Sequence, residues 1–160
     1  MIFILQHNQI IITLPKYLGI DYGLKRVGIA VSDESLTISF PRDYLPNDSK
    51  LIKTLTELVR EESIGKIVIG MPVTMSGERS EQTEITSQFS AKLKRYLEQK
   101  EVSAEIDFID ERLTSRMAGA EIIRTVPKRS KRREKGLVDE MAAQIILQNY
   151  LDREKNLRQN

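Results

Sequence analysis

The sequence contains no cysteine and only one histidine, His7, and these two shortages exclude much of enzyme chemistry. Without cysteine the chain has no disulfide, no zinc–thiolate site and no thiol nucleophile. One histidine near the N terminus leaves no material for a Ser-His-Asp triad, paired-histidine RNA cleavage or a histidine-rich zinc site. Any chemistry must therefore use carboxylates, hydroxyls, lysine and arginine. The lack of cysteine also fits a reducing compartment, and we expect a cytoplasmic protein.

Long apolar runs are absent as well, and no segment approaches the roughly 20 residues of a membrane span. We therefore expect no membrane partner. The apolar start at 1–5 lacks a basic region and is followed by four polar residues, which is not the pattern of a signal peptide. We interpret residues 1–16 as an extension without a function of its own, either a frayed edge strand or the product of an upstream start codon. The expected domain spans 17–152, and 153–160 is a polar tail.

The charge is distributed unevenly along the 160 residues, although the formal net charge is only +2. Between Glu111 and Lys135, nine basic residues stand against three acidic ones, a net of +6, which leaves −4 for the rest. Six of the eight residues 128–135 are basic. A charge run is often only a solvated loop, but the acidic balance elsewhere favours a polyanion partner. We expect a monomer or a weak homodimer.

Hydrophobic periodicity predicts the element order βββαβαβαα. The predicted strands are 18–23, 27–31, 36–42, 66–70 and 106–109, and the predicted helices cover 51–59, 80–99, 115–124 and 138–151. Pro41 and Pro46 are expected to end the third strand, and residues 47–49 to cap the first helix. This order predicts an α/β domain with a five-stranded mixed sheet, three strands antiparallel and two parallel, flanked by helices.

Asp21 is the first candidate for chemistry because it lies in mid-strand between Gly19 and Gly23. Glycine weakens a strand, so two glycines beside a carboxylate suggest that something approaches the backbone closely. A phosphate-bound metal is one candidate for that close approach. The alternative is an exposed acid of an edge strand beside turn glycines.

Two further acids complete the set. Glu111 follows a predicted strand at its carboxyl end, where ligands bind in open α/β sheets, although Asp107 and Asp110 are alternatives. Asp139 heads a helix face that is otherwise apolar, and two alanines on this face allow close approach to the sheet. An acid in a first helical turn can instead serve as a cap or favour the helix dipole. The face continues through Ala142, Ala143, Ile146 and Tyr150.

Taken together, Asp21, Glu111 and Asp139 suit hard divalent ions such as Mg²⁺ or Mn²⁺, which prefer carboxylate oxygens. Two such ions can activate a water and stabilise a leaving oxygen without histidine or cysteine. The three acids therefore predict metal-dependent hydrolysis of a phosphodiester. Aromatic residues are few, and only Tyr22 and Tyr44 are stacking candidates outside helices, so sequence-specific reading of bases gets no support.

Four segments of the chain resemble the blocks of the YqgF/RuvX family in order and spacing: 18–33, 69–77, 110–115 and 138–143. The resemblance extends over 17–152. It implies an RNase H-like fold similar to that of Holliday-junction resolvases and a nuclease acting on the 5′ end of 16S rRNA precursors. It also implies that Asp21, Glu111 and Asp139 are the catalytic metal ligands.

We therefore expect a metal-dependent nuclease that matures precursor 16S rRNA in ribosome biogenesis. A resolvase of branched DNA and a non-catalytic rRNA-binding assembly factor are the alternatives. Nucleotide-binding folds with a similar Gly-Ile-Asp pattern need two lobes, and this length supplies one. The expected nucleic-acid contacts are Lys25, Arg26, Arg112, Lys128, Arg129, Lys131, Arg132, Arg133 and Lys135.

Overall fold

The computed structural model describes residues 2–6, 9–13, 15–72, 80–110 and 135–158, with side chains described for 15–72, 80–110 and 141–158. In chain order the elements are β1 (Ile2–Gln6), β2 (Gln9–Thr13), β3 (Lys16–Tyr22), β4 (Arg26–Ser32), β5 (Ser39–Pro46), α1 (Leu51–Glu61), β6 (Ile64–Met71), α2 (Glu81–Gln99), β7 (Glu105–Asp110) and α3 (Lys135–Arg158). Within these ranges no helix combines the length and apolarity that a membrane crossing requires.

Strands β3 to β7 form one sheet in the order β5-β4-β3-β6-β7. The β3–β4 and β4–β5 pairs are antiparallel, whereas β3–β6 and β6–β7 are parallel. This confirms the predicted five-stranded mixed sheet. Strands β1 and β2 pair with each other as a separate antiparallel hairpin, so the N-terminal extension contains a regular hairpin instead of a frayed edge strand.

The two faces of the sheet carry different helices. Leu18 and Ile20 of β3 belong to the core that α1 and α2 cover, whereas Tyr17 packs with α3 on the other face. Side chains alternate between faces along a strand, so residue parity decides which helix a side chain meets. By this alternation Asp21 shares the face of α3 with Tyr17 and Gly19.

Helix α3 approaches the sheet most closely at Gly19. A Cβ atom at this position would lie 2.7 Å from Cβ of Leu147 and 2.9 Å from the carbonyl oxygen of Ala143. Glycine is therefore needed here for the helix backbone to reach the strand. At Gly23 an added Cβ would lie 2.5 Å from the carbonyl oxygen of Arg26, across the β3–β4 turn. Both glycines beside Asp21 thus lie against other parts of the chain itself.

The third strand of the sheet begins and ends later than the predicted range 36–42. Pro41 lies inside β5, which the sheet tolerates because β5 is an edge strand. The segment before β5 is a loop in which the Asp33 carboxylate accepts the backbone N–H of Ile38 at 2.9 Å. The hydroxyl of Ser39 donates to the carbonyl of Gln144 in α3 at 2.9 Å, which sets the start of the strand.

The first two helices begin in different ways. None of the predicted capping residues 47–49 is the N-cap of α1. The N-cap is Lys50, and its side chain makes no capping hydrogen bond. Instead the Asp48 carboxylate accepts the N–H of Lys50 at 2.8 Å. Helix α2 begins near its predicted start with a capping box, in which Ser80 and Thr83 each accept the other's backbone N–H at 3.2 Å.

The last helix extends beyond the predicted range 138–151, so most of the predicted polar tail is helical. Side-chain contacts explain the additional turns. The Glu154 carboxylate accepts a hydrogen bond from Lys66 at 3.0 Å, and Arg158 pairs with Glu154 at 2.9 Å one turn later. The helix predicted at 115–124 lies outside the described residues.

Replacing Gly19 with alanine tests the approach of α3 to the sheet. We expect Gly19→Ala to lower the free energy of unfolding by about 1–3 kcal/mol, because the added methyl group overpacks the contact with Leu147. At an unstrained site the same change would stabilise slightly by restricting the unfolded chain. Urea denaturation monitored by circular dichroism measures the difference, and a variant as stable as the wild type would contradict the tight contact.

Candidate active site

Asp21 lies half-buried at the carboxyl end of β3, beside the carboxyl ends of the two parallel strands. Ile20 pairs with Ile69 of β6, which pairs with Phe108 of β7, and Asp21 is one residue further along. Because neighbouring strands lie about 4.8 Å apart, the Cα atoms of Asp21 and Ile109 are separated by about 10 Å. This edge of an open sheet is the usual position of a ligand.

The backbone of Asp139 lies near the same end of β3. It is one helical turn before Ala143, which contacts Gly19, and later residues of α3 contact Tyr17. Helix α3 therefore runs antiparallel to β3. From the contact at Gly19, Asp139 lies about 6 Å back along the helix, and Asp21 lies about 7 Å forward along the strand. Because the helix and the strand run in opposite directions, both steps point the same way, so the two residues lie at the same level along the sheet.

The other predicted site residues are mostly not described. Glu111, Arg112 and residues 128–133 lie outside the described ranges, and Lys135 begins α3 without a described side chain. Among the side chains that are described, no group of three or more acidic, histidine or cysteine residues is arranged to hold a metal ion. The described side chains therefore include one of the three expected ligands, and the convergence of all three stays a prediction.

The β3–β4 turn places two expected nucleic-acid contacts at the same end as Asp21. Lys25 is exposed in this turn, and the Arg26 guanidinium lies 4.5 Å from the centre of the Tyr44 ring. The Tyr22 ring stacks on Phe89 with ring centres 4.1 Å apart. Both tyrosines considered for base stacking therefore contact side chains of their own chain.

Asp107, an alternative to Glu111 in the sequence, has a structural partner. The Tyr150 hydroxyl donates a hydrogen bond to its carboxylate at 2.6 Å. This bond outweighs the opposing effect of burial and holds the pKa of Asp107 below its ordinary value. Asp107 thus joins β7 to α3, which leaves Asp110 and Glu111 as the acids at the carboxyl end of this strand.

Lys66 is the centre of a polar cluster nearer the other end of the sheet. Its side chain is only 17% exposed, and its ammonium group lies 3.0 Å from Glu154 and 3.2 Å from the Tyr150 hydroxyl. Burial alone would lower the pKa of Lys66, but hydrogen bonds to these two residues raise it above its ordinary value. Burial and the bond to Asp107 raise the pKa of Tyr150 to about 12.

Sequence analysis did not predict this cluster. The only signals were Tyr150 on a largely apolar helix face and Asp107 between apolar residues of the predicted strand 106–109. Their pairing depends on which strand lies beneath which turn of α3, and periodicity does not contain that information.

The topology is that of the RNase H-like resolvases. The structure is similar to Thermus thermophilus RuvC in complex with a Holliday junction substrate, with a TM-score of 0.56, 9% identity, and coverage of 88% of this chain and 96% of that chain. A second structure of Thermus thermophilus RuvC gives a TM-score of 0.54 at 8% identity, with the same coverage of each chain. At these identities the likeness shows the fold, and it confirms the predicted RNase H-like class.

Sequence comparison then gives the family. Residues 15–153 match the family model described as "RuvX: Holliday junction resolvase", and the chain belongs to the RuvX family. A relative from Sulfurihydrogenibium sp. (strain YO3AOP1) is 40% identical over 88% of this chain and 92% of its own length. A relative from Porphyromonas gingivalis is 40% identical over 87% of this chain and 97% of its own length. Both relatives are named "Putative pre-16S rRNA nuclease", so this chain is a member of a nuclease family.

Tyr150→Phe tests the coupling between β7 and α3 through its dependence on pH. Removing the hydroxyl should cost about 1.5–3 kcal/mol of unfolding free energy at neutral pH, because Asp107 loses a charge-assisted hydrogen bond and Lys66 loses an acceptor. Since the folded pKa of Asp107 lies below its ordinary value of 3.8, this stabilisation is complete above pH 3.8 and is lost as the pH falls through the folded pKa.

The difference between wild type and Tyr150→Phe should therefore shrink as the pH falls below 3.8. Urea titrations at several pH values measure it, with Tyr44→Phe as a control because that ring is 38% exposed. A difference that stays constant as the pH falls below 3.8 would show that the Tyr150 hydroxyl does not stabilise the ionised Asp107.

Proposed function

We propose that this protein is a divalent-metal-dependent nuclease that hydrolyses phosphodiesters at the 5′ end of precursor 16S rRNA in the cytoplasm. The observation that supports this most is the position of Asp21 and of the Asp139 backbone at one end of β3. Glu111 directly follows Asp110, the last residue of β7. Asp107 and Ile109 pack toward α3, and Glu111 is the next residue in this every-second-residue series.

The donor set fits a hard cation. Asp21 offers carboxylate oxygens at the sheet edge, and the chain has no cysteine and a single histidine, so softer ligands do not compete. Asp21, Glu111 and Asp139 would hold Mg²⁺ or Mn²⁺. When bound, two such ions supply an activated water and stabilise the leaving oxygen of a phosphodiester.

The chain's own basic residues would position the substrate. Lys25 lies in the turn that joins β3 to β4, and Arg26 is the first residue of β4. Both are a few residues from Asp21, where they can contact phosphates beside the scissile bond. Arg112 and the basic run at 128–135 flank the two other proposed ligands in sequence and would contact phosphates further away. Such contacts position the backbone and carry no sequence information.

Branched DNA is the second candidate substrate, because the matching family model is described as a Holliday junction resolvase. Cleavage of precursor 16S rRNA and of a four-way DNA junction, compared in Mg²⁺, in Mn²⁺ and in EDTA, separates the two candidates. Binding of the RNA by the wild type without cleavage in either metal would instead support a non-catalytic assembly factor.

Asp21→Asn tests the assignment of the metal site. The substitution keeps the side-chain volume and removes a charge that would hold the ions, so we expect metal-dependent cleavage to fall by more than about 100-fold with an unchanged fold. The matched control is Asp43→Asn, at an exposed acid of β5, which should cleave like the wild type. Equal cleavage by Asp21→Asn and wild type would reject the site.

A triple substitution of Lys131, Arg132 and Arg133 to alanine separates binding from chemistry. For each phosphate that the variant no longer neutralises, the slope of log affinity against log salt should fall by about 0.9 on a duplex or about 0.7 on a single strand. Single-turnover cleavage at saturating substrate should change far less, because we expect these residues to bind the substrate and the transition state equally well. An unchanged salt slope would mean that the run is only solvated. A collapse of the saturated rate would instead assign one of these residues to catalysis.

A further inference from the structure

A groove runs between α1 and α2 on the face of the sheet opposite α3. It consists of two segments with volumes of about 250 Å³ and about 470 Å³. Both are lined by Ser49, Ile52 and Lys92, so the two segments are neighbours. The smaller segment begins at Tyr22, the residue directly after Asp21. The groove therefore opens at the same end of the sheet as the proposed metal site.

The charge of this α1–α2 groove is strongly one-sided. Among the described residues its lining contains a single acid, Asp48, which already accepts the backbone N–H of Lys50 at 2.8 Å. Lys53 also lies 3.8 Å from Glu57, but both side chains are more than half exposed, and such pairs are weak in water. The basic residues that line the groove are all exposed: Lys50, Lys53, Lys92 and Arg95.

The opposite side of α1 carries the opposite charge. A second groove, with a volume of about 320 Å³, lies between α1 and β5, and Arg42 is the one basic residue in its lining within the described part of the chain. Helix α1 therefore separates a positive groove from a negative one. A polyanion on this face would be attracted to the first and repelled by the second. The acids of the negative groove are Asp43, Glu57, Glu61 and Glu62.

We propose that the α1–α2 groove is a second phosphate-binding surface, which holds the sugar–phosphate backbone of the nucleic-acid substrate as it leaves the site at Asp21. The inference rests on the proposed nuclease function. Three of the four basic residues are lysines, which bind phosphate as point charges. The aromatic rings in the lining already contact their own chain, since Tyr22 stacks on Phe89 and Lys100 lies 5.6 Å from the Tyr96 ring centre. The groove thus suits the nucleic-acid backbone better than the bases.

The groove and the basic run at 128–135 would bind different parts of one substrate. The groove lies on the face covered by α1 and α2, whereas the basic run leads in sequence into α3, which covers the other face. Contributions from separate phosphates to the salt dependence of binding should then add.

The test is a salt titration of binding to precursor 16S rRNA in EDTA, where metal-dependent cleavage cannot occur. For Lys92→Ala/Arg95→Ala we expect the slope of log affinity against log salt to fall by about 1.4–1.8, because two phosphates are no longer neutralised. The matched control is Lys94→Ala/Lys155→Ala, which removes two exposed charges outside the groove and should keep the wild-type slope. Circular dichroism checks that both variants fold.

The results separate the groove from the proposed function. A wild-type slope in Lys92→Ala/Arg95→Ala, or an equal fall in the control, overturns the groove whether or not the protein cleaves RNA. A reduced slope in the groove variant alone supports it, even where wild-type protein shows no cleavage in Mg²⁺ or Mn²⁺. Failure of the proposed function would appear in the cleavage assay of Asp21→Asn, which does not involve the groove residues.

Discussion

The close contact of helix α3 with strand β3 at Gly19 is the constraint on which the candidate site depends. A glycine here lets Ala143 and Leu147 reach the strand, and the Lys66 cluster binds later turns of the same helix. Together, the Gly19 contact and the Lys66 cluster fix the position of α3 along the direction of the strands. A slip by one turn would move Asp139 by about 5.4 Å, more than the roughly 3.5–4 Å between two catalytic ions. The packing of α3 therefore determines whether the proposed ligands can meet.

The two ends of the sheet use charge in different ways. Around Lys66, acids and hydroxyls are paired at hydrogen-bonding distance beneath α3, so this charge stabilises the fold. At the carboxyl end, Lys25 is exposed near Asp21, and the α1–α2 groove adds unbalanced positive charge. Paired charge is satisfied by the protein, whereas an excess of one sign on the surface attracts a ligand of the opposite sign. The carboxyl end is therefore the end that suits a polyanionic substrate.

Local sequence patterns were sufficient to predict the strands and helices whose structure is determined by local interactions. Alternation located strands β3 and β4, and helical periodicity located α2. They were insufficient for β5, where Pro41 suggested an end to a strand that continues because it lies at the edge of the sheet. They also missed the last turns of α3, because the partner of Glu154 is Lys66, 88 residues away in the chain.

By itself the sequence determined which chemistry is available: carboxylates and basic residues without cysteine, in blocks that place the chain in the RuvX family. It also determined the mixed sheet, because hydrophobic periodicity follows from which face each residue buries. Only the tertiary structure decided that Gly19 serves the approach of α3, that Asp107 is bound by Tyr150, and that α1 separates a positive from a negative groove. These features depend on contacts between residues distant in the chain, which are set by strand order and helix register.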